Sequence, residues 1–314
     1  MKFIEFLDRY PTEEKCKAKF KSLRDRQGVV CKKCEGTVHY WLPSKEQYQC
    51  KSCSFRTTLK SGTVMENSKL PFKYWFVAMH LMTSTKKSLS ALELQRQIGH
   101  KYYEPIWAMM HKIRRVMSER DELYQLQGDI EIDEGFYSSS FSLEIDEFTG
   151  KIEELKRGKG SQRKSKVLVM ASFKDIPLAD FNEKKHHTPR KLKYMKMKVV
   201  DDLSAQTINS EIKKSIDSNA KVHTDDYKSY YKLPEIIEKH NKYNMTYDQA
   251  DKVLPWVHKA IANSKNLLKA IYHCVSPEYL QNYLDEFCYK LNRRYFKHKV
   301  FDRLLIAAVS ATWY

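Results

Sequence analysis

The stretch DIEIDEGFY, residues 129–137, decides the fold. In an extended strand its residues alternate, so Ile130 and Ile132 face one side while Asp129, Glu131 and Asp133 face the other. Asp133 then stands where the apolar run stops, a place from which a carboxylate looks out of a sheet. A second stretch of this kind, AKVHTDDYKSYY (220–231), delivers Asp225 after the β-forming run 220–224 and before a tyrosine-rich turn. A third, WVHKAIANSKNLLKAIYH (256–273), reads as a helix: Val257, Ile261, Ser264, Leu268 and Ile271 keep helical spacing, and Asn263 lies beside that stripe. Two carboxylates and an amide oxygen are hard donors of the kind magnesium takes, and a pair of such ions can clamp the attacking and leaving oxygens of a phosphodiester. A chain with 39 Asp plus Glu offers many such triples, so this one needs support from its surroundings.

Around these stretches the order of elements is that of a mixed sheet. Residues 129–134, 166–173 and 194–200 read as three strands, 205–218 as a helix with Ile208, Ile212 and Ile216 on one face, and 220–224 as a fourth strand. Three strands, a helix and a strand fit the ribonuclease-H-like order. The connections are basic: Lys156, Arg157, Lys159, Arg163, Lys164 and Lys166 crowd one, and Lys184, Lys185, Arg190, Lys191 and Lys193 the next, beside His186 and His187. Such runs are usually solvated faces, but here they flank the strands where a phosphate backbone would run. The span 233–254 is polar and reads as an insertion or loop. Near the end, YLDEFCYKLNRRYF (283–296) puts Tyr283, Phe287 and Leu291 on one face, with Arg293 and Arg294 after them.

The N-terminal part differs in kind. Phe3, Phe6, Leu7 and Tyr10 suggest a short amphipathic helix broken at Pro11, and a second helix from Thr12 to about Asp25 leads into Gly28. Cys31 and Cys34 form one C-x-x-C and Cys50 and Cys53 another, fifteen residues apart. Two such knuckles close a tetrahedral four-thiolate zinc site, and Tyr40, Trp41 and Tyr48 suggest the short strands of a zinc ribbon. Cys16, Cys274 and Cys288 read as core thiols. From Pro71 a helix is apolar nearly all round. Ser90 and Glu93 then form a capping box opening a short helix that stops at Gly99. Pro105 begins another, in which Ile106, Met110, Ile113 and Met117 keep the stripe while His111, Lys112, Arg114 and Arg115 lie off it. Short helix, glycine turn and basic helix outline a helix-turn-helix, although an ordinary helical hairpin with a solvated face fits the same pattern.

The balance of 56 Lys plus Arg against 39 Asp plus Glu, a net charge of +17, interleaved with 20 Tyr and 5 Trp, points to a polyanionic partner and tilts the helical pair toward DNA. No run of about 18 apolar residues occurs, and the start, with Glu5 and Asp8, does not read as a secretory signal; a cytoplasmic, nucleoid-associated protein without membrane contact is expected.

Taken together these motifs resemble bacterial insertion-sequence transposases of the family numbered 1595, the ISXO2-like group. The paired knuckles carry the resemblance, with TLKSGTVMENSKLPFKYWFVAMHLMTSTKKSLSALELQRQIG, MMHKIRRVM, EIDEGFY, HTDDYKSY, WVHKAIANSKNLLKAIYHCVS and YLDEFCYKLNRR, in that order over nearly the whole chain. The resemblance implies an α+β multidomain protein: helices and zinc ribbon over 1–62, a helix-turn-helix-like DNA-binding region over 63–125, and a ribonuclease-H-like catalytic domain over 126–314. It implies Asp133, Asp225 and Asn263 as the catalytic set holding magnesium or manganese, and Cys31, Cys34, Cys50 and Cys53 as zinc ligands. The family's signature lysine falls on Lys265, which lies roughly 200° round the helix from Asn263 and so is expected on DNA rather than metal, with Lys112, Arg114, Arg115, Arg293 and Arg294. The implied chemistry is nicking of each element end by activated water, then attack of the freed 3′-hydroxyl on target DNA, with the terminal inverted repeats held in a homo-oligomer. Ser138 and Ser139 stand where the family commonly has paired glycines. A co-opted or decayed DNA-binding regulator and a structure-specific nuclease remain as alternatives.

Overall fold

A computed structural model describes residues 2–138, 164–177, 189–244 and 253–311. The chain falls into two compact units, Met1–Arg120 with Arg293–Tyr314, and Asp121–Asn292.

In the first unit, α1 (Phe3–Arg9) and α2 (Glu13–Gln27) precede a three-stranded antiparallel sheet of β1 (His39–Leu42), β2 (Gln47–Cys50) and β3 (Arg56–Thr58). Thr12 caps α2 by accepting the Lys15 N–H. Then come α3 (Phe72–Ser84), α4 (Ala91–Ile98) and α5 (Glu104–Glu122), the last ending at the unit boundary. Trp75, Phe76, Ala78, Met79 and Met82 make α3 a buried helix. Ser90 accepts the Glu93 N–H at 3.1 Å to start α4, and Gly99 ends it at φ +71°, a left-handed conformation that costs glycine nothing. The final helix, α6 (Val300–Ser310), belongs to this unit rather than to the domain that precedes it in the chain. Its Phe301 ring stands 5.5 Å from Phe6, 5.8 Å from Tyr10 and 5.9 Å from Phe76. Sequence order alone does not say which core a terminal amphipathic helix joins.

The second unit is a five-stranded sheet in the order β6-β5-β4-β7-β8, made of β4 (Asp129–Ser138), β5 (Lys164–Asp175), β6 (Arg190–Val200), β7 (Lys221–Asp225) and β8 (Lys239–Tyr243). β5 runs antiparallel to β4 and β6, whereas β4, β7 and β8 are mutually parallel. This is the ribonuclease-H-like sheet. Its helices are α7 (Ala205–Ser215), α8 (Pro255–Tyr272) and α9 (Pro277–Asn292). The β4 alternation sorts residues between two cores. Ile130 and Ile132 join Leu168, Met170, Val222 and the Ile208 and Ile212 of α7, while Tyr137 joins Val167, Val169, Val257 of α8 and Leu284 of α9. The outer strand β6 is covered: Gln281 and Asn292 of α9 exchange hydrogen bonds with the Val199, Met197 and Met195 backbone at 2.7–2.9 Å. Amide side chains thus satisfy an edge that would otherwise recruit another strand.

Several expectations need correction. β8 lies inside the span read as a loop; its sequence KHNKY has no apolar alternation because it is an edge strand with no fully buried residue. Lys164 and Lys166 belong to β5, and Arg190, Lys191 and Lys193 to β6, rather than to loops. On α9 the buried line is Leu280, Leu284 and Cys288 with Tyr289, beside the Tyr283, Phe287, Leu291 line, which is half-buried. Cys274 is exposed, just beyond α8, while Cys16 and Cys288 are buried. Lys156, Arg157, Lys159, Arg163, Lys184, Lys185, His186, His187 and Ser139 lie outside the described residues.

Candidate active site and zinc centre

The ribbon's two knuckles are local copies of each other. In the first, the Glu35 N–H bonds to the Cys31 carbonyl at 2.9 Å and the Cys31 N–H to the Gly36 carbonyl at 3.0 Å; in the second, Ser54 bonds back to Cys50 at 3.0 Å and Cys50 to Phe55 at 2.9 Å. Glu35 and Ser54 both take φ near +60° (57° and 59°), so each turn reverses directly after its second cysteine. The loops bring Cys31 Sγ to 3.5 Å from Cys53 Sγ and Cys34 Sγ to 3.5 Å from Cys50 Sγ, with all four sulfurs within 4.8 Å of one another. Tetrahedral zinc, at about 2.3 Å from each sulfur, needs edges of about 3.8 Å. The donor set therefore fits. A Cβ at Gly36 would stand 3.3 Å from both Cys34 Sγ and Cys50 Sγ, so a side chain there would press on the cluster. The Cys53 and Ser52 N–H groups hold the Cys50 thiol down to about 6, which favours the thiolate a metal needs. Among the described residues this is the group in which three or more Cys, His, Asp or Glu ligand atoms gather so tightly.

In the second unit, β4 and β7 pair in parallel through Glu131 and His223, and Asp133 and Asp225 each lie two residues further on. The two acids are thus level on neighbouring strands. Asp133 Oδ1 accepts the Glu134 N–H at 2.8 Å and Asp225 Oδ1 the Tyr227 N–H at 3.2 Å. Behind them the fully buried Tyr230 donates its hydroxyl to Glu134. Burial, then the charge and hydrogen bond of Glu134 and the charges of Asp133 and Asp225, push that hydroxyl's pKa well above its ordinary value.

The approach of α8 to β4 is set by small and polar residues that sequence reading passed over. Glu131, with no exposed surface, accepts the N–H groups of Trp256 at 2.6 Å and Val257 at 3.1 Å and so caps the helix N-terminus. A Cβ on Gly135 would stand 2.7 Å from the Tyr137 ring and 3.4 Å from Ile261. Further along, Tyr137 and Ser264 share a hydrogen bond of 2.7 Å. The result is that His258 Nε2 lies 3.7 Å from Asp133 Oδ2 and the Lys265 ammonium 5.4 Å from the Tyr137 ring centre. Burial and Lys164 lower the Lys265 pKa while Asp133 raises it. Asn263 is exposed on the same helix, five residues and about 140° round from His258.

The expected DNA-contacting cations divide. Arg115 is exposed and bonds Glu119 at 3.1 Å, and Arg294 is exposed with its guanidinium 4.2 Å from the Tyr295 ring. Lys112 is half-buried and donates to the Glu66 carbonyl at 2.9 Å. Arg114 is only 1% exposed, and Arg293 and His111 are buried too, so none of the three is offered to a phosphate in this conformation. The apolar stripe on α5 is wider than its spacing suggests, taking in Met109 and Val116, and it carries Arg114 and His111 inward with it.

An ISXO2-like transposase domain matches residues 125–292, and a transposase zinc-ribbon domain matches residues 11–56. The chain belongs to the ISXO2-like transposase family. The matched range of the first coincides with the second compact unit, which ends at Asn292. Over 151 residues this family member is 24% identical to an uncharacterized protein in transposable element ISH50 of Halobacterium salinarum, covering 47% of the chain and 50% of that protein. It therefore spans about half the length of the curated relative it matches. Solved structures of similar chains include a pre-cleavage Mos1 transpososome, at 11% identity and a TM-score of 0.30, and a Mos1 mariner paired end complex with Mn, at 12% and 0.30; each aligns over 79% of this chain and 82% of its own. No helix among the described residues is long and apolar enough to cross a membrane.

Glu131 also yields a test of the architecture. Burial pushes its carboxyl up to about 7 from 4.5, against the helix N–H groups of Val257 and Trp256 that pull it down. A folded pKa above the unfolded one means that stability is full below about 4.5 and falls as pH rises through about 7, by on the order of 3 kcal/mol. Glu131→Gln keeps an acceptor for both N–H groups without the charge. It should flatten the decline in thermal midpoint between pH 5 and pH 8, measured without added divalent cation, and exceed the wild type at pH 8. A wild-type slope in the variant would contradict the buried carboxylate.

Proposed function

We propose that the chain is a DNA transposase that cuts at the ends of its own element and joins the freed 3′-hydroxyl to target DNA. The observation that supports this best, within the family, is the pair Asp133 and Asp225, level on neighbouring parallel strands. Both are hard oxygen donors, and the Asp133 side chain is 19% exposed, so the pair suits magnesium or manganese. Asn263, carried over from the family, would add a neutral oxygen. Divalent cations held there would supply positive charge to the attacking and leaving oxygens of the phosphodiester. The chain's own residues orient that chemistry. Glu134's N–H fixes one Asp133 oxygen, Glu131 fixes the start of α8, and the Lys265 ammonium, over the Tyr137 ring, would meet a non-bridging phosphate oxygen. Zinc in the ribbon would serve folding rather than catalysis.

In this reading the ribbon over 1–62 and the α4–Gly99–α5 pair within 63–125 read the terminal inverted repeats, and 126–292 carries the chemistry. Joining two ends in concert needs both held together, so an oligomer on DNA in the cytoplasm belongs to the proposal. Incubating the protein with its own element ends, a target plasmid and magnesium tests it: nicked ends and joined products are expected. Cutting without joining would make it a nuclease, and binding without either a regulator.

Arg114 and Arg115 separate fold from binding. Arg114→Ala empties a buried, charged position and should lower stability by roughly 3 kcal/mol, read by denaturant unfolding. Arg115→Ala should leave stability unchanged, weaken DNA binding and reduce the slope of log affinity against log salt by about 1. Equal salt slopes for Arg115→Ala and wild type would remove Arg115 from the interface.

A further inference from the structure

We infer, resting on the DNA-binding ribbon proposed above, that the outward face of the ribbon sheet reads duplex DNA in the major groove. Gln47 and Gln49 of β2 meet two adenines there, and Tyr40 and Arg56 meet the flanking phosphates. Strand pairing fixes the arrangement. Tyr40 of β1 lies opposite Gln49 of β2, and Gln49 opposite Arg56 of β3, so the three side chains form one row on one face. Gln47 stands two residues from Gln49, on the same strand and the same face. The alternate residues turn the other way. There Trp41 and Tyr48 pack at 4.8 Å, Tyr48 bonds Asp25 of α2 at 2.7 Å, and the Lys21 ammonium of α2 lies 4.6 Å from the Trp41 ring centre. Thr57 is buried on that side too. The side packed on α2 is thus closed, and the outward side is open. Tyr40 is 55% exposed, Arg56 is exposed, and among the described residues neither glutamine amide is hydrogen-bonded within the protein.

Dimensions, donor chemistry and charge commit this face to a duplex. The outer backbones of a three-stranded sheet stand about 10 Å apart, inside a major groove about 12 Å wide. With β2 along the groove floor, Gln47 and Gln49, about 6.6 Å apart, match two base-pair steps of about 3.4 Å each. A glutamine amide carries the acceptor and the donor that pair with adenine N6 and N7. Tyr40 and Arg56, on the two outer strands, then fall at the groove walls, where the phosphates run. The charge agrees. Residues 31–58 carry Lys32, Lys33, Lys45, Lys51 and Arg56 against Glu35 and Glu46, and Glu46 is held by Lys17 of α2 at 2.8 Å. The helix expected to read bases is less able to do so: Arg114 of α5 is buried, and Lys112 donates to the Glu66 carbonyl. A single strand would ask for a platform of stacked aromatic rings, and the row Tyr40, Gln49, Arg56 offers one ring.

Binding of the full, zinc-loaded chain to a duplex of its element end, beside a random-sequence duplex and the single strand, tests this. The double substitution Gln47→Ala, Gln49→Ala should lose at least about tenfold in affinity for the element end, while binding to the random duplex stays within about twofold. 7-Deazaadenine, which lacks N7, placed singly through the end should weaken wild-type binding at two adenines two base pairs apart. Each of those effects should vanish in one of the single glutamine variants. Arg56→Ala should weaken both duplexes alike and lower the slope of log affinity against log salt by about 0.9. Unchanged zinc content and thermal midpoints exclude misfolding. A double variant that tells the end from the random duplex as well as the wild type does would overturn the reading face, and so would tighter binding to the single strand than to the duplex. Strand joining by the wild type would leave the proposed function standing in either case. Discrimination lost in the double variant, with no joining by the wild type, would keep the face and overturn the transposase reading.

Discussion

Asp133→Asn is expected to cut strand joining by on the order of 10³-fold or more while binding of element ends stays within about twofold. The substitution is nearly isosteric, and an amide oxygen can still accept the Glu134 N–H that the carboxylate accepts at 2.8 Å. What disappears is one negative charge at a point that is only 19% exposed, where a charge holds a cation far better than it would in water. The exposed cations proposed for DNA, Arg115 and Arg294, are on other elements and are untouched. Gel-shift and strand-transfer assays on one preparation separate the two effects, and full joining activity in the variant would end the catalytic reading. Asn263 is the subtler position. Asn263→Ala should cost most of the activity if the family assignment carries over, and Asn263→Asp should keep some because it restores an oxygen. Full activity in Asn263→Ala would take Asn263 out of the set; Asp251, the next acid to consider from sequence, lies outside the described residues.

The double substitution Cys31→Ser, Cys34→Ser should remove zinc altogether, from one equivalent to near zero, and unfold the ribbon. Its three strands have four, four and three residues, too little to stand without a staple. Four thiolates on zinc contribute on the order of 10–16 kcal/mol of apparent binding free energy, which in such a module is folding free energy. The aromatic face illustrates the dependence: Trp41 and Tyr48 pack at 4.8 Å, and Tyr48 bonds Asp25 of α2 at 2.7 Å, but only while β1 and β2 stay paired. Elemental analysis and amide exchange over residues 31–58 measure both losses together. Zinc kept at full occupancy in the double variant would sink the assignment.

Where a feature rests on short-range spacing, the sequence is enough to read it. Chelation by two C-x-x-C knuckles is such a feature, and so is the alternation that turns Asp133 to one side of β4 and Ile132 to the other. The level placing of Asp133 and Asp225 was half legible: each could be read at a strand end, but their register depends on β4 and β7 pairing in parallel. Glu131 and His258 were not legible. A glutamate in a strand reads as solvent-facing until a helix N-terminus is set against it, and a histidine on a helix has no period that points it at a strand 125 residues away. Arg114 failed for the opposite reason. A stripe drawn through apolar residues alone treats every charge as outside, and α5 buries two charged or titratable groups.

The return of the last helix to the first unit has a consequence for how the chain is made. Val300–Ser310 supplies Phe301 to the aromatic cluster of Phe6, Tyr10 and Phe76, so the ribosome must thread the entire sheet-bearing unit before that cluster can close. At about 5–20 residues per second, the stretch between residues 120 and 300 takes roughly 10–35 s to synthesise. Through that interval the sheet can already be folding, while the aromatic residues of the emerging N-terminal segment wait uncovered. The apolar surface left open in that interval is the aggregation-prone part of the nascent chain.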